Sequence, residues 1–137
     1  MWWVYALLSA LFAALTAIFA KIGIKNVDTD LATAVRTVVV LVLAWSIAFF
    51  RGGTSSIMSL SKTNIIFLAL SGIATGLSWV FYFKALQLGK VSQVAPVDKL
   101  SVAMTIIFSI LFLGETLTLK TAIGAACIIL GTIIIIL

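Results

Sequence analysis

Five long apolar segments dominate the sequence, and they constrain the fold more than any other feature. The first segment contains no charged residue between Met1 and Lys21. A helix that crosses the hydrocarbon core of a bilayer needs about 20 mainly apolar residues. The pattern therefore predicts transmembrane helices over residues 3–22, 31–50, 64–86, 92–113 and 121–137.

The fourth segment is the shortest in strictly apolar terms. Its uninterrupted run, Leu100–Leu113, spans only about 21 Å at about 1.5 Å per residue. The helix reaches the thickness of a membrane only if it begins near Ser92. We therefore expect this helix to contain Pro96 and the adjacent charges Asp98 and Lys99.

Composition identifies the solvent that these helices require. Hydrophobic residues make up 64% of the 137 residues and charged residues only 9%, against roughly 45–50% and about 25% in soluble domains. A soluble fold of this size could not cover so much apolar surface. The sequence predicts an all-α integral membrane protein of the cell (inner or plasma) membrane, with one five-helix domain over residues 1–137. A secretory signal peptide requires a basic residue before its apolar segment, and none precedes the first segment here. We therefore expect that segment to be retained as a helix.

The charged residues exclude several classes of function. The net charge is +5, but the nine Lys and Arg residues stand almost singly between apolar segments, which is typical of helix ends at lipid headgroups and not of nucleic-acid binding. The chain has no histidine, and its one cysteine, Cys127, lies in an apolar segment, so we predict no metal site. No nucleophile–base pair or phosphate-binding glycine loop is present. We expect no catalytic residues, no cofactor and no enzymatic activity.

The orientation of the helices is weakly specified by charge. With five spans the two ends of the chain lie on opposite faces. Four positive groups lie on each face: the α-amino group, Arg51, Lys62 and Lys120 on one, and Lys21, Lys25, Lys84 and Lys90 on the other. Since a bias in such charges sets the orientation, we hypothesise that the chain inserts both ways and forms an antiparallel homodimer. The alternative is a single orientation, set by the two deeper charges of Arg36 and Lys99.

Small or polar residues recur along one face of three predicted helices, at spacings of three and four. They are Ser9, Ala13, Thr16 and Ala20 in the first helix, Ser71, Thr75, Ser78 and Tyr82 in the third, and Asp98, Ser101, Thr105 and Ser109 in the fourth. We interpret these stripes as the lining of a substrate cavity formed by the first four helices, with Trp79 as a stacking wall. The alternative is that the hydroxyls bond carbonyls of their own helices and that the small residues only pack.

Two pairs of glycines predict close packing of helices. Gly72 and Gly76 form a G-x-x-x-G in the third helix, which lets another helix approach closely. Gly124 and Gly131 lie seven residues apart on one side of the fifth helix, which has no polar stripe. We expect the fifth helix to serve packing or dimerisation.

Two charges lie at similar depth in the second and fourth helices. Arg36 and Asp98 are each roughly 8–9 Å along their helices from the same face of the membrane. Charges at such depth are costly and normally pair or face water. We hypothesise that Arg36 and Asp98 approach each other, while Lys99 reaches the interface or faces the cavity. The alternative is that all three side chains reach the headgroups and anchor the helix ends.

Several sequence motifs resemble those of one family. These are "VSQVAP" at the entry to the fourth helix, "LFLGE" at its exit, "IGAACIILG" in the last helix, and "AKIGIKNVDTDLATAVRT" across the junction of the first two. In order and spacing they resemble an EamA-like domain of the drug/metabolite transporter superfamily. The resemblance covers essentially the whole chain and places Lys21 and Arg36 at basic positions usual in that family.

The resemblance implies a secondary transporter. Larger members carry two such units as inverted repeats around a central site, so a single unit implies a dimer. The spacing of Gly124 and Gly131 is similar to that in the dimerising last helix of small multidrug resistance proteins. Those relatives exchange protons for cations at a carboxylate in the first helix, which the first helix here lacks. With Arg36 and Lys99 as the deep basic groups, an anionic or zwitterionic solute is expected instead. The alternative is a structural or regulatory membrane subunit, or a component of a lipid-carrier flippase.

Overall fold

The protein is entirely helical in the part of the chain that is described. A computed structural model describes all 137 residues except the side chain of Ser56. The elements are α1 (Trp2–Gly23), α2 (Thr29–Phe50), a 3-10 helix (Gly53–Ser59), α3 (Lys62–Leu88), α4 (Val91–Asp98), α5 (Leu100–Leu113) and α6 (Leu119–Ile136). No strand occurs in the described backbone. This confirms the predicted all-α fold class.

The helices are long and apolar enough to cross a membrane five times, with α4 and α5 together forming the fourth span, Val91–Leu113. The 22 residues of α1 give a length of about 33 Å, which matches the roughly 30 Å hydrocarbon core of a bilayer. Large apolar side chains are exposed along these spans: Phe67 is 67% exposed and Phe81 71%. In water such a surface would be very unfavourable, whereas lipid accommodates it without cost.

The fourth span is divided, although one helix was expected there. α4 ends at Asp98, Lys99 forms a turn, and α5 begins at Leu100. The cause lies three residues earlier, at Pro96. Proline has no N–H and its ring clashes with the carbonyl of the residue four positions before, Ser92, so it breaks or kinks a helix. The Lys99 N–H keeps the α-helical bond to the Ala95 carbonyl, at 3.3 Å, and also donates to the Pro96 carbonyl three residues before it, at 3.0 Å, which tightens the turn.

Local sequence explains where the other helices begin and end. The Asp28 carboxylate accepts hydrogen bonds from the N–H groups of Asp30 and Leu31, both at 3.0 Å, and so caps the first turn of α2. The Thr118 hydroxyl caps α6 by accepting from the Thr121 N–H at 3.2 Å. At the end of α5, Gly114 has a left-handed φ of 67°, a conformation that glycine adopts without strain.

The chain divides into two compact units. The first, here called the split unit, contains residues 1–18 and 88–137, and the second, here called the continuous unit, contains residues 19–87. In the split unit the Thr132 side chain of α6 is buried. Its hydroxyl lies 2.8 Å from the Ile128 carbonyl of its own helix and 3.3 Å from the Pro96 carbonyl of α4, and it donates to both. In the continuous unit the core comprises the buried side chains of Ile24, Phe83 and Leu86.

Candidate functional site

The continuous unit holds a charged side chain against aromatic rings. The guanidinium carbon of Arg36, on α2, lies 4.0 Å from the centroid of the Trp79 ring and 5.4 Å from that of Phe83. Trp79 and Phe83 are four residues apart on α3, so they share one face of that helix. A cation over an aromatic face is attracted by the ring quadrupole, by up to about 2 kcal/mol when water is excluded. This contact fixes the position of the charge within the membrane span.

The edges of the Arg36 guanidinium remain available. A guanidinium carries five N–H donors in its plane, and within the continuous unit none of them donates to a described hydrogen-bond acceptor. Tyr82, on α3, interacts with Arg36 electrostatically. Because a cation–π contact involves the charge and does not fill the N–H donors, these donors can bind a planar carboxylate in a bidentate manner. We name Arg36, Trp79, Tyr82 and Phe83 the arginine cluster.

Only a small part of the predicted polar stripes belongs to the arginine cluster. Of the stripe on α3, Tyr82 belongs to the cluster, while Ser71, Thr75 and Ser78 are exposed. The Thr75 hydroxyl donates to the Ser71 carbonyl at 2.8 Å. The Trp79 ring contacts the Arg36 guanidinium, and its role as a stacking wall of the substrate cavity stays a prediction.

The polar residues of the split unit also bond within their own helices. In α5 the Thr105 hydroxyl donates to the Ser101 carbonyl at 2.8 Å. In α1, Ser9 is exposed and Thr16 half-buried. For Thr75 and Thr105 the structure therefore shows the hydroxyl-to-carbonyl bonds that were the alternative to a cavity lining. The cavity lined by the first four helices stays a prediction.

Asp98 and Lys99 form an ion pair where the fourth span is divided. Their charged atoms lie 3.1 Å apart, with Asp98 half-buried and Lys99 exposed. Adjacent residues that pair in this way neutralise each other next to the helix break. The predicted coupling of Arg36 with Asp98 stays a prediction.

Phe83 is the functional candidate that sequence reasoning missed. It is only 2% exposed and follows Trp79 by one helical turn. Guanidinium groups prefer aromatic faces, so the pair of aromatic residues spaced four apart was a usable signal. An arginine in a membrane span is usually expected to pair with an acidic residue, and Phe83 does not fit that expectation.

The candidate dimerisation glycines are uncovered in the protomer. No described atom lies within 4 Å of a Cβ built at any of four positions, namely Gly72, Gly76, Gly124 and Gly131. These surfaces could therefore admit another helix.

Together these features define a class of protein. Five apolar spans and a charge held on aromatic rings at membrane depth characterise a multi-pass membrane protein with an intramembrane polar site, as in transporters. The model of the EamA-like transporter family matches residues 1–137. The chain belongs to the EamA-like transporter family, and it is a membrane transporter.

Two similar proteins show how far the sequence similarity extends. The chain is 48% identical over 134 residues to a Sinorhizobium sp. protein named an uncharacterized transporter in the cobO 3′ region, covering 98% of this chain and 95% of the relative. It is 39% identical over 66 residues to an uncharacterized protein of Methanocaldococcus jannaschii, covering 48% of each chain. No solved structure matches the chain significantly.

Proposed function

We propose that the protein is a secondary transporter of small organic metabolites that carry an anionic or zwitterionic group. The observation that carries this proposal is the position of Arg36. Its guanidinium lies on Trp79 and Phe83 at membrane depth, and its N–H donors are unfilled within the continuous unit. A charge in a membrane span is costly, and such groups mark solute pathways.

The geometry of the arginine cluster favours a carboxylate over other anions. The flat guanidinium matches a carboxylate through two parallel hydrogen bonds. The contact with Trp79, 4.0 Å from the guanidinium carbon to the ring centroid, holds the charged group next to the ring. The indole and phenyl rings would then contact the apolar part of a small organic acid or amino acid.

Transport by alternating access requires a site that two halves can expose in turn. Secondary transporters commonly place this site between two inverted repeats. The chain supplies one five-helix unit, which would correspond to one such repeat. We propose that two copies of the chain supply the two halves as an antiparallel homodimer in the cell membrane. The balanced positive charges on the two faces support this arrangement, as do the uncovered glycines Gly124 and Gly131.

Electrical recording from proteoliposomes tests the proposal. Purified protein is reconstituted and exposed to a panel of organic acids, amino acids and organic cations at two proton gradients. We expect currents or proton fluxes with acids or zwitterions. Arg36→Ala should abolish them, and Arg36→Lys, which keeps the charge but loses the planar fork, should reduce them at least ten-fold, corresponding to about 1.4 kcal/mol.

Arg51 provides the matched control. It follows the other end of α2 and is exposed, so Arg51→Lys, which keeps the charge that bears on orientation, should transport as the unsubstituted protein does. Equal losses in Arg36→Lys and Arg51→Lys would assign the effect to folding and not to the arginine cluster. Silence with every compound would reject solute transport and favour a structural subunit or a flippase component.

A further inference from the structure

A hollow lies at one end of the continuous unit, where α1 and α3 both end. It is lined by Lys21, Ile24, Lys25, Asn26 and Gln87, and its volume is about 410 Å³. A water molecule occupies about 30 Å³ of the liquid. The hollow therefore has room for a phosphate group together with its hydration water. We name it the lysine hollow.

The walls of the lysine hollow are tied together by two contacts across the unit. The Lys21 ammonium donates to the Leu86 carbonyl, one of the last carbonyls of α3, which have no intrahelical partner. The Gln87 amide donates to the Val27 carbonyl at 3.0 Å. Leu86 itself is fully buried. Since both contacts join the end of α1 and its following loop to the end of α3, the hollow is formed before any ligand enters.

The lysine hollow is positively charged and lacks an acidic lining residue. Lys25 is exposed, and within the continuous unit it makes no hydrogen bond or ion pair with a described residue. The nearest acidic residue in sequence, Asp28, uses its carboxylate to cap α2. Lys25 therefore has no ion-pair partner within the continuous unit, and it lines the same hollow as a second ammonium and two side-chain amides.

The position of the hollow indicates what fills it. It lies at the ends of two membrane-spanning helices, which is the depth of the lipid headgroups. Basic pockets between helices at this depth bind phosphate-bearing headgroups, and each lysine near the surface contributes about 1 kcal/mol. We infer that the lysine hollow binds a phosphate group, carried by an anionic lipid or present as free phosphate. Lys25 and Lys21 supply the charge, and Asn26 and Gln87 supply amides beside it.

Binding of phosphatidylglycerol to the full-length protein tests this inference. Native mass spectrometry in detergent gives the affinity for phosphatidylglycerol and for phosphatidylcholine. Lys25→Gln should weaken phosphatidylglycerol binding about five-fold, the equivalent of about 1 kcal/mol, and Lys25→Arg should restore it. Lys62→Gln is the matched control, because Lys62 is exposed at the other end of α3 and does not line the hollow.

Competition by inorganic phosphate distinguishes the two sources of the ligand. Displacement of phosphatidylglycerol by millimolar phosphate would assign the site to free phosphate, and retention of the lipid would assign it to a headgroup. Equal weakening by Lys25→Gln and Lys62→Gln, or no weakening by either, would overturn the inference. The site is independent of the transport proposal: Arg36→Ala, which should abolish transport, should leave lipid affinity unchanged.

Discussion

The guanidinium of Arg36 lies over the indole of Trp79, with 4.0 Å between the guanidinium carbon and the ring centroid. This contact joins α2 to α3 within the continuous unit, and it replaces part of the hydration that the charge loses in the membrane. Stacking, unlike an ion pair, leaves the charge of Arg36 unneutralised. An anionic solute would therefore meet a cation whose position is fixed and whose charge is intact.

The stacking energy of Arg36 on Trp79 should be measurable by a double-mutant cycle. We expect Arg36→Gln and Trp79→Leu to show a coupling of about 1 kcal/mol in the free energy of unfolding, the magnitude typical of a partly desolvated cation–π pair. Unfolding of the purified protein in mixed detergent micelles gives the values. A cycle of Arg51→Gln with Trp45→Leu, which share no ring contact in the described structure, should give a coupling near zero.

A second cycle, read out by transport, examines Arg36 and Asp98. If these groups act together, Arg36→Ala and Asp98→Ala should each disable transport, and the double variant should be no worse than either alone. Since Asp98 forms an ion pair with Lys99, Lys99→Gln should also change the effect of Asp98→Ala. Initial rates of uptake into proteoliposomes provide the measurement. Strictly additive losses would show that Arg36 and Asp98 act independently.

The Thr132 hydroxyl shares its one proton between the Ile128 carbonyl of its own helix, at 2.8 Å, and the Pro96 carbonyl of α4, at 3.3 Å. The second contact should stabilise the packing of α6 on α4. Thr132→Val keeps the shape of the side chain and removes the donor. We expect a loss of about 0.6 kcal/mol in the free energy of unfolding, the average for hydrogen bonds between membrane helices. Thr37→Val serves as the control, because the Thr37 hydroxyl donates only to the Thr33 carbonyl of its own helix. Equal losses in the two variants would contradict a role for the interhelical bond.

Dimerisation through α6 should be sensitive to bulk at its glycines. Gly124→Leu fills space that is empty in the protomer, so the protomer should still fold while the dimer dissociates, with at least a ten-fold weaker association. Ala126, two residues on, lies about 200° further round α6 and is exposed. Ala126→Leu should leave the dimer intact. Energy transfer between labelled protomers in lipid vesicles measures both, and an unchanged dimer in Gly124→Leu would exclude this surface.

Dual insertion should appear as reporter signal on both sides of the membrane. A topology reporter fused after Leu137 should be active in both compartments, because the positive charges on the two faces are balanced. Adding two lysines beside Arg51 should then move most of the signal to one side. Signal confined to one side in the unaltered chain would show a single orientation.

The membrane spans could be predicted closely from sequence because the requirement for them is local. Each span must satisfy its backbone hydrogen bonds internally and expose apolar side chains to lipid. A continuous apolar segment of about 20 residues meets both requirements and can be recognised in the sequence. Predicted and observed helix bounds differ by only a residue or two for α1, while α3 is longer than expected, at Lys62–Leu88. The division at Lys99 follows from Pro96, but the sequence did not indicate how far along the helix the break would fall.

The candidate site was less accessible to sequence reasoning. Arg36, Trp79 and Tyr82 could each be picked out, since a charge in an apolar run and a polar stripe are visible in the sequence. Their assembly with Phe83 could not, because an arginine has several possible partners at the same depth. The lysine hollow was missed for a similar reason: Lys21 and Lys25 resemble ordinary flanking charges until Gln87 is seen beside them.

The sequence by itself determined that this chain is embedded in a lipid bilayer and how many times it crosses the bilayer. It also determined which few side chains within the membrane spans carry charge or can form hydrogen bonds. These properties depend on residues that are adjacent or one helical turn apart. The tertiary structure decided that Arg36 lies on aromatic rings, that Thr132 reaches the Pro96 carbonyl, and that Lys21 is bound at the end of α3. These contacts join residues 36 to 65 positions apart, and only the packing of whole helices brings such residues together.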